Sequence, residues 1–176
     1  MNWYAAVAWA DGLDYGGYGD WRLPTVIDSG PSGCDGGYYD YGGFGGTDCG
    51  YNVDTSGSEL AYIWYDILGN TAFCDTSGSC PQSGWGLTST SADGVDILNL
   101  QPNYYWSGTQ YALLTDSAWI FSAGLGHQNY YPKRDDMYVW AVRSGDVAAS
   151  VPEPATLLLL AAGLLGMQRD WRRRCG

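Results

Sequence analysis

The sequence predicts an α+β domain: two helices, then short strands in a small antiparallel sheet, with long Gly-rich loops stapled by disulfides. Three observations carry this. Leu60, Ile63, Trp64, Ile67 and Leu68 recur at i, i+3, i+4, i+7 and i+8, which is one apolar stripe of a helix. After Gly84 the helical period gives way to short strand-like runs at 97–100, 104–107, 118–123 and 138–143. Residues 28–57 are dense in Gly, Asp and Tyr, the composition of a long loop region.

The first helix is predicted over 2–13, with Trp3, Ala6, Val7 and Ala10 on one face and Gly12 near its end. The second opens on Ser56-x-x-Glu59, which fits a capping box, and stops at Gly69. Trp106, Trp119 and Trp140 fall in the strand patterns and are predicted core. The stretch Gly124-Leu125-Gly126-His127-Gln128-Asn129 reads as a hairpin loop.

Length and composition bound the function. A chain of 176 residues suits one domain of ordinary size and is long enough to bury a core. Hydrophobic residues at 45% and aromatics at 15% exclude a disordered chain. Residues 1–150 carry four basic and seventeen acidic side chains (−13), whereas 151–176 carry four basic and two acidic (+2). A body this acidic repels phosphate backbones, so nucleic acid is not an expected partner. A single His excludes any zinc site that needs two, and no metal site is predicted. Calcium is compatible with the acidic surroundings, but no complete site can be named.

The last 26 residues differ from the rest. Val151-Pro152-Glu153-Pro154 interrupts regular structure, and Pro154 suits the first turn of a new helix. From Ala155 to Met167 the chain is almost wholly apolar. Counted from Pro154 to Trp171 a helix would reach ~27 Å, close to the ~30 Å hydrocarbon core. Arg172, Arg173 and Arg174 would then stay cytoplasmic. These three parts, in this order, resemble the PEP-CTERM sorting signal. The resemblance implies export, transient anchoring in the inner membrane, processing by an exosortase, and a final place at the cell surface or in an exopolysaccharide matrix. Met1-Asn2-Trp3-Tyr4 has neither a basic region nor an apolar region of a signal peptide, so an export signal is expected upstream, in a longer parent.

A second resemblance covers about residues 3–146. Gly17-Tyr18-Gly19-Asp20-Trp21-Arg22-Leu23-Pro24-Thr25, then Tyr105-Trp106-Ser107-Gly108-Thr109, Ala118-Trp119-Ile120-Phe121 and Tyr138-Val139-Trp140-Ala141-Val142-Arg143, resemble the Lcl C-terminal domain family. That family implies a C-type lectin-like fold. Its named member ends a collagen-like adhesin that binds sulfated polysaccharide. One departure is visible: Val26-Ile27-Asp28 runs into the Gly-rich insertion where the family has a helix. The organisation read from both resemblances is a domain at 1–148 and a sorting signal at 149–176.

The remaining constellations divide between structure and binding. Asp20, Trp21, Arg22, Leu23 and Pro24 read as a structural turn, with the planar Arg22 fork donating to loop carbonyls. Cys34, Cys49, Cys74 and Cys80 are an even set in an exported body. Three pairings are open, of which 34–49 and 74–80 each close one Gly-rich loop. Asn52-x-Asp54-x-Ser56-Gly57 opens like a calcium loop, but its twelfth position is Ile63 rather than Glu. Gln101-Pro102-Asn103 resembles the sugar-selecting tripeptide of C-type lectins without their downstream partner motif and reads as a turn. His127 lacks a nucleophile elbow, and Gly42-Gly43-Phe44-Gly45-Gly46 lacks the Lys of a phosphate loop. The 20–25 turn also resembles that of formylglycine-generating enzymes. Those use two late cysteines, whereas none lies here between Cys80 and Cys175, so no enzyme is expected.

Recognition is left to aromatic side chains in loops. Tyr38, Tyr39 and Tyr41 are one group. Tyr130, Tyr131, Lys133 and Arg134 are the preferred one, combining rings that stack on a sugar with two of the body's four basic side chains. The expected partner is a polysaccharide or another matrix component. A structural matrix protein without a specific ligand is the alternative.

Overall fold

The computed structural model describes residues 1–29, 45, 47–92 and 95–144, all within the unit Met1–Ser144. Cys34, the tyrosines at 38, 39 and 41, and the whole of the sorting signal lie outside the described residues. No helix among the described residues is long and apolar enough to cross a membrane.

The structure is α+β. Helix α1 (Trp3–Asp11) is capped by Asn2, whose side chain accepts from Ala5 N at 3.0 Å, and it closes with Gly12 N donating to Ala8 O. Its small residues Ala6 and Ala10 are completely buried. They let the helix backbone approach Leu23, Trp106, Ala118 and Ile120. Strand β1 (Trp21–Arg22) follows, then β2 (Gly50–Tyr51).

Helix α2 (Glu59–Ala61) starts two residues later than the capping box predicts. Ser58, not Ser56, caps it, accepting from Ala61 N, while Asp54 caps a separate 3₁₀ turn over Thr55–Gly57. Glu59 does not reach back to its own helix; Arg22 and Thr25 take both of its oxygens. The helix then widens into a π-helical segment over Tyr62–Ile67, with Leu68 N donating to Ile63 O. Widening the turn rotates Ile67 off the apolar stripe, and it is exposed while Leu60, Trp64 and Leu68 are buried. Gly69, with φ +67°, ends the helix as predicted.

Six more strands follow: β3 (Ser91–Ala92), β4 (Val95–Asp96), β5 (Tyr104–Gln110), β6 (Ser117–Ser122), β7 (His127–Pro132) and β8 (Val142–Arg143). The principal sheet is antiparallel in the order β2-β7-β6-β5, while β1 pairs with β8 and β3 with β4. All six residues of β6 are buried. Alternation along the strands divides the burial. Trp106, Ala118 and Ile120 face α1, whereas Tyr105 and Phe121 face Leu60 and Ala61 of α2 and Trp64 of the π-helical segment that continues it. The two helices therefore cover opposite faces of the sheet. Along the outer side of β5, Trp106 N donates to Tyr138 O, Tyr138 N to Tyr104 O, and Gly108 N to Pro24 O.

Three strand expectations change. At 97–100 there is no strand, because Asn99 takes φ +63° and turns the chain; the pairing lies just before it. At 138–143 only Val142 and Arg143 join a ladder. The alternation there is real but serves packing: Met137, Val139 and Ala141 join the α1 cluster, and Trp140 the α2 cluster. The loop predicted at 124–129 is partly strand β7. Its polar residues are buried with partners distant in sequence: Gln128 Nε2 donates to Asp48 O, and Gln128 Oε1 accepts from Ser58 Oγ, both at 2.6 Å.

Cys74 and Cys80 form a disulfide, closing a short loop. Cys49 is disulfide-bonded as well, and the other half of its expected pair, Cys34, lies outside the described residues.

Candidate functional site

The turn at 20–25 is built around two ion pairs. Arg22 grips Glu59 with both ends of its fork, Nη1 to Oε2 at 2.6 Å and Nη2 to Oε1 at 2.7 Å. Only one loop carbonyl, that of Leu23, accepts from it, so its principal partner is a carboxylate rather than the carbonyls predicted. Thr25 adds two donors to Glu59 Oε2. Leu23 and Pro24 are buried beneath the turn. The Arg22 fork, with the Thr25 donors, holds the Glu59 carboxyl at about 2, well below its ordinary 4.5. A folded-state pKa that is depressed stabilises above the unfolded value, and that stability is lost as pH falls through the folded one. Glu59→Gln should therefore cost about 1–2 kcal/mol at neutral pH, the lower range reflecting a pair partly open to water. The gap to the parent should close between pH 4.5 and about 2. Urea melts across that window test it, and a gap that stays constant to the lowest pH would refute the linkage.

On the other side of β1, Asp20 accepts from Arg143 Nε at 2.9 Å and Nη2 at 3.1 Å. The Arg143 guanidinium also lies 3.7 Å from the centroid of the Tyr18 ring. Trp21 points its indole N–H at two carbonyls, those of Tyr15 and Tyr18. These two residues bond to each other across Gly16 and Gly17, at φ +65° and +81°. Such a Gly-Gly pair between aromatic residues is a hairpin-turn signal, legible in the sequence beside the motif that follows it.

The four residues predicted to share a binding loop are separated by the structure. Tyr130 and Tyr131 stand on β7 and so point to opposite faces of the sheet. Tyr130 is core: its ring lies flat on Tyr111 at 3.9 Å, beside Trp119 and Val26. Lys133 is also buried. Its Nζ donates to Gln110 Oε1 at 2.6 Å and Thr115 O at 2.8 Å, and lies 4.3 Å from the Trp3 ring centroid. It thereby ties the β5–β6 connection to α1. Tyr131 is 40% exposed, its ring 6.4 Å from that of the equally exposed Tyr104, and Arg134 stands in solvent beside Asp135. Of the predicted group, two residues are left at the surface to meet a ligand.

Other candidates resolve into structure. His127 is buried with its ring 4.8 Å from that of Tyr51, and desolvation pushes its pKa down to about 4, so it is neutral at pH 7. Asp54 Oδ1 is taken by the amide and hydroxyl of Ser56. Among the described residues no group of three His, Cys, Asp or Glu side chains could hold a metal ion. Gln101 and Asn103 form the turn that leads into β5. A groove of about 290 Å³ is lined by Thr25, Ile27, Glu59, Tyr62 and the 3₁₀ turn.

Residues 150–174 match the family model described as the PEP-CTERM protein-sorting motif. No curated protein and no solved structure matches the chain. The motif supports export of the chain and its sorting through the membrane by an exosortase.

Proposed function

We propose, from the sorting motif at 150–174, that the chain is a surface or exopolysaccharide-matrix protein whose body binds carbohydrate or acts as an adhesive module, rather than catalysing a reaction. The body is read as a C-type lectin-like domain related to the Lcl C-terminal family, on the motifs at 17–25, 105–109, 118–121 and 138–143. The sorting motif carries the proposal, because it supports export of the body, and a polysaccharide of the surface or matrix is the partner we read from that setting. Exposed Tyr104 and Tyr131 support the binding role: rings with polar tips stack on sugars and bond their hydroxyls.

Intact mass of the protein recovered from a native host tests the sorting half. The mature chain should lack the segment from about Ala155 onward. A surface protein that still carried Arg172, Arg173 and Arg174 would make the tail a plain anchor. Retention of the full chain on immobilised polysaccharide tests the binding half.

A further inference from the structure

We infer that the Tyr15–Tyr18 turn, with the Asp20–Arg143 pair beside it, is a binding subsite for a neutral polysaccharide. This rests on the carbohydrate-binding reading and gives it a place and a ligand class. Three properties of the turn carry the inference.

The first is exposure. Tyr15 is the most exposed aromatic side chain of the described residues at 68%, and Tyr18 is at 37%. Residues directly opposite in an antiparallel bridge project to the same face, so both rings leave the ribbon on one side.

The second is rigidity. The turn is closed by reciprocal bonds, Tyr15 N to Tyr18 O at 3.0 Å and Tyr18 N to Tyr15 O at 3.2 Å. Trp21 fastens both carbonyls from below with its indole N–H. Each ring is steadied by a neighbour: Trp21 stands edge-on to Tyr15 at 6.1 Å, and the Arg143 guanidinium covers Tyr18 at 3.7 Å. Rings that are already fixed lose little freedom when a ligand stacks on them. At the tip a Cβ at Gly17 would meet no atom within 4 Å, and one at Gly16 would meet only the Tyr18 ring edge, at 3.8 Å.

The third is polar chemistry. Each Asp20 oxygen accepts one bond from Arg143, and the side chain is 54% exposed, so lone pairs remain for sugar hydroxyls. A carboxylate that accepts, on a body of formal charge −13, selects against sulfate and uronate groups. With one face of Tyr18 taken by Arg143, the exposed Tyr15 ring bordered by a hydroxyl acceptor fits a neutral hexose chain.

Native affinity electrophoresis of the full 176-residue chain, in gels cast with hydroxyethylcellulose, dextran or alginate, tests the assignment. The parent should be retarded in a neutral gel, and Tyr15→Ala should weaken that retardation about fivefold. Tyr15→Trp should preserve it. Tyr15→Ala keeps the backbone carbonyl that Trp21 holds, so its melting temperature should match the parent's. If it does not, Asp20→Asn, read in the same gels, carries the test and should also weaken retardation. Retardation of the parent that survives both Tyr15→Ala and Asp20→Asn overturns the subsite and leaves the binding reading standing. Retardation in alginate alone overturns the ligand class. A parent that migrates freely in every gel overturns the subsite together with the reading it rests on.

Discussion

Tyr130→Ala should lose about 3–5 kcal/mol of folding stability, whereas Tyr131→Ala should lose about 1 kcal/mol. The two residues are adjacent in sequence and chemically identical, so the contrast comes from the pleat alone. Tyr130 is 8% exposed and stacked within 8° of parallel on Tyr111, which in turn meets the edge of Trp119. Truncation would remove one ring of a stack and open a cavity between Val26 and Cys49. Tyr131 is 40% exposed on the opposite face, where its ring neighbours that of Tyr104, so its truncation opens onto solvent rather than into a closed core. Urea denaturation of the two single variants decides the matter. Equal losses would mean that β7 does not hold the register Trp119↔Tyr130.

Gly126→Ala should destabilise by about 3 kcal/mol, for two reasons that add. Gly126 has φ +64°, a conformation that strains any side-chain-bearing residue. A Cβ built there would also fall 2.5 and 2.7 Å from two carbons of the Trp64 ring and 3.0 Å from the Tyr65 hydroxyl. Neither neighbour can move cheaply. Trp64 is buried with its N–H on Ala123 O, and the Tyr65 hydroxyl donates to Gly126 O while accepting from Asn52 N. Gly17→Ala serves as the comparison. It shares the positive φ, at +81°, but meets open space, so it should cost only the conformational part, about 1 kcal/mol. Similar thermal shifts for the two variants would show that Trp64 yields.

What could be read in the sequence was whatever depends on neighbours in the chain. Asn2 and Gly12 bracket α1 because capping is a local bond, and the sorting signal is a linear order of Pro, apolar segment and Arg. The α2 stripe was legible too, up to Ile67, where the π-helical widening broke the period. Strand β7 was not legible. His127, Gln128 and Asn129 look like a turn until Asp48 and Ser58, about 70 to 80 residues away, supply bonds to Gln128. Once that strand was missed, its alternation could not be used, and Tyr130, Tyr131 and Lys133 appeared as one polar-aromatic loop. Lys133 illustrates the same limit. Its charge reads as surface, yet Gln110, Thr115 and the Trp3 ring together make a place for it inside. The candidate site at Tyr15–Tyr18 was legible in principle from Gly16-Gly17. The fastening role of Trp21 was harder to see, since an indole N–H shared between two carbonyls leaves no mark in composition or period.

The bonds along the outer side of β5 have a consequence for contacts between copies of the domain. A strand at the border of a sheet ordinarily offers a row of unmet amides, onto which a second molecule can add its own strand and begin a fibre. Here the amides of Trp106 and Gly108 already donate to Tyr138 and Pro24, and the Tyr104 carbonyl already accepts from Tyr138. Irregular segments from both ends of the fold thus lie over this border without extending the ladder as a long strand would. An incoming strand would have to displace them first. Copies of the domain brought close together can meet at this border through side chains but not by extending β5 into a neighbour's sheet.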